Sequence, residues 1–116
     1  EIANSDWSSD VCSSDLYTAG VTANDPETQK MVAPGDIIGQ TEQIMKNMQA
    51  ILEEAGSDLA HIIKTMVFVK DIEDFAKFNE AYKKFFPNNP PARSTMQVGN
   101  FLGDMVIEIE AIATEK

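Results

Sequence analysis

The sequence contains only one cysteine, one tryptophan, one histidine and one arginine among its 116 residues. A single cysteine excludes an intramolecular disulfide and a metal site built from several cysteines. His61 stands at the start of an apolar segment, and no second histidine or carboxylate lies at metal-ligand spacing from it. We therefore expect a structural role for His61 and no metal site. No apolar run has the length of a transmembrane helix.

Basic residues are also scarce, because nine stand against 19 acidic residues, which gives a net charge of −10. A nucleic-acid-binding domain needs a basic stripe to meet the phosphate backbone. The composition therefore disfavours nucleic acid as a partner, and an acidic soluble domain is compatible with the cytoplasm.

The segment of residues 6–16, DWSSDVCSSDL, has no hydrophobic period. It matches the translation, in one reading frame, of a common sequencing-library adapter; a natural loop rich in serine and aspartate is the alternative. We interpret residues 1–16 as an artefactual or unrelated segment of a metagenomic or assembled gene, and set it aside. Residues 17–116 then form one domain with no cysteine. Its net charge is −6, because four of the acidic residues lie in residues 1–16.

Hydrophobic periodicity and turn signals divide this domain into helices and strands. The first helix is predicted from Asp36, a good N-cap residue, to about Ala55. A second helix is predicted to begin after Asp71 or Asp74 and to reach Phe86. Its apolar stripe consists of Phe75, Phe78, Tyr82 and Phe85. The predicted strands are residues 17–22, 30–32, 61–70, 92–98 and 105–113.

This order predicts an α+β fold in which two helices pack on one face of a mixed β-sheet. The strand at residues 61–70 is apolar on both faces, so the face without helices also needs a cover. We expect an oligomer to bury that face, rather than a monomer with scattered apolar surface residues. The candidates to fill it are Ile62, Met66, Phe68, Met96, Val98, Val106 and Ile112.

Two charged residues in the last two strands are candidates for chemistry. Arg93 carries a planar fork of donors that can grip a carboxylate in two places, although an ion pair with a surface acid is the alternative. Glu108 lies between isoleucines, where a carboxylate is costly unless it has a partner or a task. From periodicity alone, Glu108 belongs with Glu110 to the solvent face of an alternating strand.

The segments Pro91-Ala-Arg-Ser-Thr-Met-Gln-Val98 and Ile107-Glu-Ile-Glu-Ala-Ile-Ala113 closely resemble the C-terminal signature of the RidA/YjgF family. Residues 17–20, 25–28, 64–71 and 78–82 resemble further segments of that family. The resemblance implies a chorismate-mutase-like fold and a homotrimer with active sites in clefts between subunits. It also implies hydrolytic deamination of 2-imino acids and their enamines, such as 2-iminopropanoate and 2-iminobutanoate, to 2-keto acids and ammonia without a metal or organic cofactor.

The resemblance assigns roles to individual residues. Arg93 is implied to hold the substrate carboxylate, and Glu108 to position the attacking water and to shuttle protons to the leaving ammonia. Asn79 matches a site asparagine, although an exposed polar residue on a helix is the alternative. Further substrate contacts are implied for Gly20, Val21 and Thr95.

The family's first strand and its Gly-Pro-Tyr-Ser segment have no counterpart here, because residues 1–16 occupy that region. We expect this N-terminus to be disordered or poorly packed, and the domain to lack its native first strand. Two other functions stay open. One is a non-enzymatic module that binds small carboxylates, and the other, which the acidic charge disfavours, is an RNA-cleaving translation inhibitor.

Overall fold

The structure, a computed structural model, describes residues 15–116, so our expectation for residues 1–14 lies outside the described residues. Two α-helices and four strands lie within these described residues. In chain order they are β1 (Asp15–Tyr17), α1 (Ile37–Glu54), β2 (Ile62–Val69), α2 (Phe75–Lys83), β3 (Ala92–Gln97) and β4 (Ile107–Thr114).

The strands form one mixed sheet in the order β1-β4-β2-β3. Strands β2 and β3 are parallel, whereas β4 runs antiparallel to both β1 and β2. Both helices pack on the same face, which confirms the predicted α+β architecture. The fully buried core between the layers includes Ile44, Met48, Val67, Phe78, Ile107 and Ile109. Neither helix of the described chain is both long and apolar enough to cross a membrane.

Helix α1 begins and ends as its sequence predicts. The Asp36 side chain accepts a hydrogen bond from the Ile38 amide at 3.1 Å, which satisfies one of the free donors of the first turn. After the C-cap residue Ala55, Gly56 adopts a positive φ of 89°, a conformation that glycine takes without strain.

Helix α2 is shorter than predicted, because it ends at Lys83 instead of Phe86. The Phe86 amide donates to the Lys83 carbonyl three residues earlier, which is the spacing of a 3₁₀ turn and not of an α-helix. The following Pro87 also disfavours helical backbone at Phe86. Asp71 caps a 3₁₀ turn that precedes α2, and Asp74 occupies the N-cap position without a side-chain hydrogen bond.

The strand predicted at residues 17–22 is replaced by β1 and a single bridge between Val21 and Ile109. Between β1 and this bridge, the Thr18 hydroxyl accepts the Ala111 amide hydrogen at 3.0 Å. A side-chain oxygen here takes the place of the backbone carbonyl that would accept this hydrogen bond in a regular strand pair. The return strand predicted at residues 30–32 is also reduced to one bridge, at Met31. Strand β1 includes Asp15 and Leu16 from the segment that we set aside, and Leu16 packs against the core.

The alternation in β2 differs from the prediction at its start. The register shifts between Ile62 and Lys64, so Ile62 is buried at 5% exposure and Ile63 is 51% exposed. Ile62 therefore belongs to the core, and the partly buried Val106 packs against the same core. Both assignments to the face without helices were wrong. The open face keeps Met66, Phe68, Met96 and Ile112.

One buried amide joins α1 to the segment that precedes β4. Gln40 is fully buried, and its Nε2 donates to the carbonyls of Ala33 and Asp104 at 3.1 and 3.0 Å. Its Oε1 accepts the Val106 amide hydrogen at 3.0 Å. All three partners are backbone groups next to the entrance of β4, so Gln40 fixes where that strand begins.

Candidate functional site

Arg93 lies on the edge strand β3, and its register decides which way it points. It pairs with Thr65 of β2, which in turn pairs with Ala111 of β4. Thr65 and Ala111 are buried under the helices. Because directly paired residues of neighbouring strands point to the same face, the half-buried Arg93 side chain points toward the helices.

The Arg93 guanidinium lies against three aromatic rings of the α2 segment. Its Cζ is 5.3 Å from the ring centroid of Phe75, 5.4 Å from that of Phe78 and 5.0 Å from that of Tyr82. These distances place each ring within the range of a cation–π interaction. We call these three rings the aromatic wall.

Asn79 lies on the same helix and binds the same guanidinium. Its Oδ1 accepts a hydrogen bond from Arg93 Nη1 at 2.9 Å. Among residues 15–116 no carboxylate forms a salt bridge with Arg93, so the surface ion pair that the sequence left open is not found there. An arginine has five N–H donors, and a partly buried cation gains most from an anion that accepts them in pairs. This arrangement can bind a small carboxylate.

Thr95 stands two residues after Arg93 and points to the same face, since it pairs with the buried Val67. Its Oγ1 is buried and has no hydrogen-bond partner among the described residues. A buried hydroxyl usually has a partner. Thr95 is therefore able to bond a ligand.

Tyr82 completes this region, and the sequence indicated it only as part of an apolar helix stripe. Its hydroxyl lies 2.7 Å from Thr65 Oγ1, and both residues are buried. Burial raises the pKa of Tyr82, while the hydrogen bond with Thr65 and the nearby Arg93 charge oppose that rise. The phenol therefore stays neutral at physiological pH and does not compensate the Arg93 charge.

A cavity of about 370 Å³ opens beside this group. It is walled by aromatic rings, prolines and the polar groups of Asn79 and Arg93. Its lining residues are Asn79, Tyr82, Lys83, Phe86, Pro90, Pro91 and Arg93.

Glu108 lies on the other face of the sheet. It alternates along β4 with the fully buried Ile107 and Ile109, and it pairs with Phe68 of the open face. Its carboxylate lies directly over Gly20, where a built Cβ would overlap Glu108 Oε2. The missing side chain of Gly20 thus makes room for the carboxylate.

Val21 holds Gly20 in this place. Val21 N donates to the Ile109 carbonyl at 2.7 Å, and Ile109 N donates back to the Val21 carbonyl at 3.1 Å. The Val21 side chain is buried and both backbone groups bond to Ile109, so Val21 supports Gly20 and has no free polar donor for a ligand. Gly20 and Val21 also line a cavity of about 540 Å³ between residues 17–29 and α1.

Within one chain, the predicted site residues fall into two groups on opposite faces of the sheet. One group, which we call the Arg93 half, contains Asn79, Arg93 and Thr95 and lies on the helix side, at the β3 edge. The other group, the Glu108 half, contains Gly20 and Glu108 and lies on the open side, where β2 separates β4 from β3. One copy of the chain does not bring Arg93 and Glu108 together.

His61 lies apart from both halves. Its Nδ1 is 2.6 Å from Asp58 Oδ1, and the same carboxylate accepts the His61 amide hydrogen at 3.1 Å. The hydrogen bond from His61 lowers the pKa of Asp58. Among residues 15–116 no group of three or more histidine, cysteine, aspartate or glutamate side chains is placed to hold a metal.

Comparison with known proteins relates this chain to one family. The model of the family described as Endoribonuclease L-PSP matches residues 2–115. A RutC family protein of Pyrococcus abyssi is 45% identical over 98 residues, which cover 84% of this chain and 76% of that protein.

Solved structures agree with this relation. The Escherichia coli YjgF gene product has a TM-score of 0.81 and 40% identity, over 89% of this chain and 82% of its own. The E. coli protein TdcF, solved with bound serine, has a TM-score of 0.81 and 38% identity over the same shares of the two chains.

Proposed function

The chain belongs to the Endoribonuclease L-PSP family, which includes YjgF, and on that premise we propose that it is a hydrolytic deaminase of 2-imino acids. Its substrates are small 2-imino acids and their enamine tautomers, such as 2-iminopropanoate and 2-iminobutanoate. The products are the 2-keto acid and ammonia. We place the protein in the cytoplasm as a homotrimer.

The observation that carries this proposal is the half-buried Arg93 without an acidic partner among the described residues. Asn79 uses one donor of the guanidinium and leaves the others for a ligand carboxylate. TdcF was solved with serine, an amino acid that carries this group. We infer that Arg93 binds the substrate carboxylate and that Asn79 and Thr95 complete the contact.

Glu108 performs the proton transfers in this proposal. It takes a proton from water as the water oxygen attacks the carbon of the protonated imine, which gives a carbinolamine. It then returns this proton to the nitrogen. As the C–N bond breaks and ammonia leaves, the carbinolamine hydroxyl gives its proton to Glu108, which forms the carbonyl of the 2-keto acid. The reaction consumes one water molecule and needs no metal or organic cofactor.

The separation of the two halves supports a site between copies of the chain. Arg93 lies near the β3 edge on the helix side, and Glu108 lies on the open face. In a closed ring of identical subunits, one contact repeated around the ring brings the β3 edge of each copy to the open face of the next. Each site then takes Arg93 from one subunit and Glu108 from its neighbour.

A coupled assay tests the proposal. Threonine dehydratase generates 2-iminobutanoate, semicarbazide traps it, and an active protein lowers the trapped signal. We expect Arg93→Ala and Glu108→Ala to lower the rate by about 10²-fold or more. Glu110→Ala is the matched control, since Glu110 lies two residues further on the same face of the same strand. Equal losses in Glu108→Ala and Glu110→Ala would contradict the role of Glu108.

A binding module without catalysis is the second candidate, because the Arg93 half, which holds the carboxylate in this proposal, is complete without Glu108. Carboxylate binding without turnover in this assay would favour it. The family description also names an endoribonuclease. A net charge of −10 makes RNA an unfavourable partner, and we expect no RNA cleavage at physiological salt.

A further inference from the structure

We propose that Tyr82 is a positioning residue that aims Arg93 at the substrate carboxylate through its contact with the guanidinium and its hydrogen bond to Thr65. This inference rests on the proposed function. It assigns a task to a residue that would otherwise count only as part of the hydrophobic core.

The first step of the argument is the shape of the aromatic wall. Phe75, Phe78 and Tyr82 are spaced by three and four residues, so they share one face of α2. Their rings contact one another, with centroids 6.0 Å apart for Phe75 and Phe78 and 5.0 Å apart for Phe78 and Tyr82. Phe78 and Tyr82 are almost fully buried. The guanidinium therefore lies on a surface that packing holds fixed.

The second step is the link between this wall and the strand that carries Arg93. Among the three rings, only Tyr82 has a polar group, and its hydroxyl reaches Thr65 Oγ1 across the helix–sheet interface at 2.7 Å. Thr65 is the direct partner of Arg93 in the parallel register of β2 and β3. The hydrogen bond therefore fixes the position of the Tyr82 ring relative to the residue beside Arg93.

The third step concerns the donors that remain. The wall contacts the guanidinium, and Asn79 accepts from Nη1. These two contacts restrict the flexible Arg93 side chain to one orientation. Its remaining N–H groups therefore all point to the same place, where the substrate carboxylate binds. A neutral phenol serves this purpose because it contacts the guanidinium without neutralising its charge, which stays available to the substrate carboxylate.

The experiment compares substrate KM, kcat and the dissociation constant for 2-oxobutanoate in Tyr82→Leu and in a matched core variant, Leu52→Ala. Leu52 is also almost fully buried, but it lies on α1 outside the aromatic wall. We expect Tyr82→Leu to raise KM and Kd about tenfold, with a change in kcat below about threefold. Leu52→Ala lowers the melting temperature and leaves KM and Kd unchanged.

A double-mutant cycle keeps the inference testable if Tyr82→Leu does not fold. Tyr82→Phe and Thr65→Val each remove one hydroxyl and keep the shape of the side chain. We expect each to raise Kd about threefold, and the double variant to be no weaker than either, since one hydrogen bond is lost in all three. Additive effects, or Kd values equal to wild type in all three, would overturn the link through Thr65.

The outcomes separate the two proposals. A wild-type chain that neither lowers the trapped 2-iminobutanoate signal nor binds 2-oxobutanoate would overturn both the function and this inference. A wild-type chain that binds it while Tyr82→Leu binds equally well would overturn the positioning role alone. An equal rise of KM in Tyr82→Leu and Leu52→Ala would do the same, because it would trace the effect to general loosening of the core.

Discussion

If each active site takes Arg93 from one subunit and Glu108 from another, two inactive variants should restore activity when they are mixed. A chain with Arg93→Ala still supplies Glu108, and a chain with Glu108→Ala still supplies Arg93. When the two variants are mixed randomly in equal amounts, the subunit that supplies Arg93 to a site has this residue intact with a probability of about one half. The same holds for the subunit that supplies Glu108. About a quarter of the sites are then complete, whatever the number of subunits in the ring.

This expectation follows from the register of the sheet. Arg93 pairs with Thr65 on the helix side, whereas Glu108 pairs with Phe68 on the open side. A side chain in a sheet does not exchange faces without a one-residue slip, which would expose the buried core residues of β2 and β4. A single chain therefore has no low-energy route that joins Arg93 to Glu108.

The assay measures deamination after the two variants are unfolded together in denaturant and refolded. We expect about 25% of the wild-type rate from the mixture and about 1% or less from each variant refolded alone. A mixture that stays at the level of the single variants would refute the shared site.

The double variant Arg93→Ala/Glu108→Ala, mixed with an equal amount of wild-type chain, provides the matched control. A site within one chain would keep about half of the wild-type activity in this mixture, because every wild-type chain keeps its own site. A site shared between chains would keep about a quarter, because both donors must be wild type. A value near one half would reject the assignment even if the first mixture gave some activity.

Two further predictions test the surroundings of the site. Gly20→Ala should lower kcat about tenfold or more with little change in stability, because the new Cβ displaces the Glu108 carboxylate. Gly99→Ala is the control, since its Cβ would meet nothing within 4 Å. An active Gly20→Ala enzyme would contradict the placement of Glu108. Gln40→Leu should lower the free energy of unfolding in urea by about 2–4 kcal/mol, because it leaves three backbone groups without their buried partner. The exposed Gln49→Leu should change it by less than about 0.5 kcal/mol, and equal effects in both would refute the role of Gln40.

Local signals in the sequence predicted the elements that local physics determines. Asp36 before an apolar period and a glycine after it define α1, since capping and periodicity act within a few residues. The same signals failed at Ile62, where a register shift reverses the alternation that the sequence indicates. They also failed at Phe86, where the last turn tightens before a proline.

The arrangement of the site could not be predicted in the same way. Alternation tells which residues of one strand share a face, but the relation between Arg93 and Glu108 depends on how β3, β2 and β4 align. That alignment is a property of tertiary packing and is not local in sequence. The contact between Tyr82 and Arg93 has the same origin, because a helix stripe of aromatic residues indicates burial and does not identify what the rings touch.

The separation of the halves also bears on the form of the substrate that the proposed site prefers. Arg93 offers a positive charge without an acidic partner among the described residues, and Glu108 brings a negative charge over Gly20. In the proposed site, where two copies meet and exclude water, each charge needs an opposite one nearby. A protonated 2-imino acid carries both, since its carboxylate faces Arg93 while its iminium nitrogen faces Glu108. The 2-keto acid product has lost the cationic nitrogen and keeps only the contact with Arg93, so the same pair of charges that holds the substrate favours release of the product.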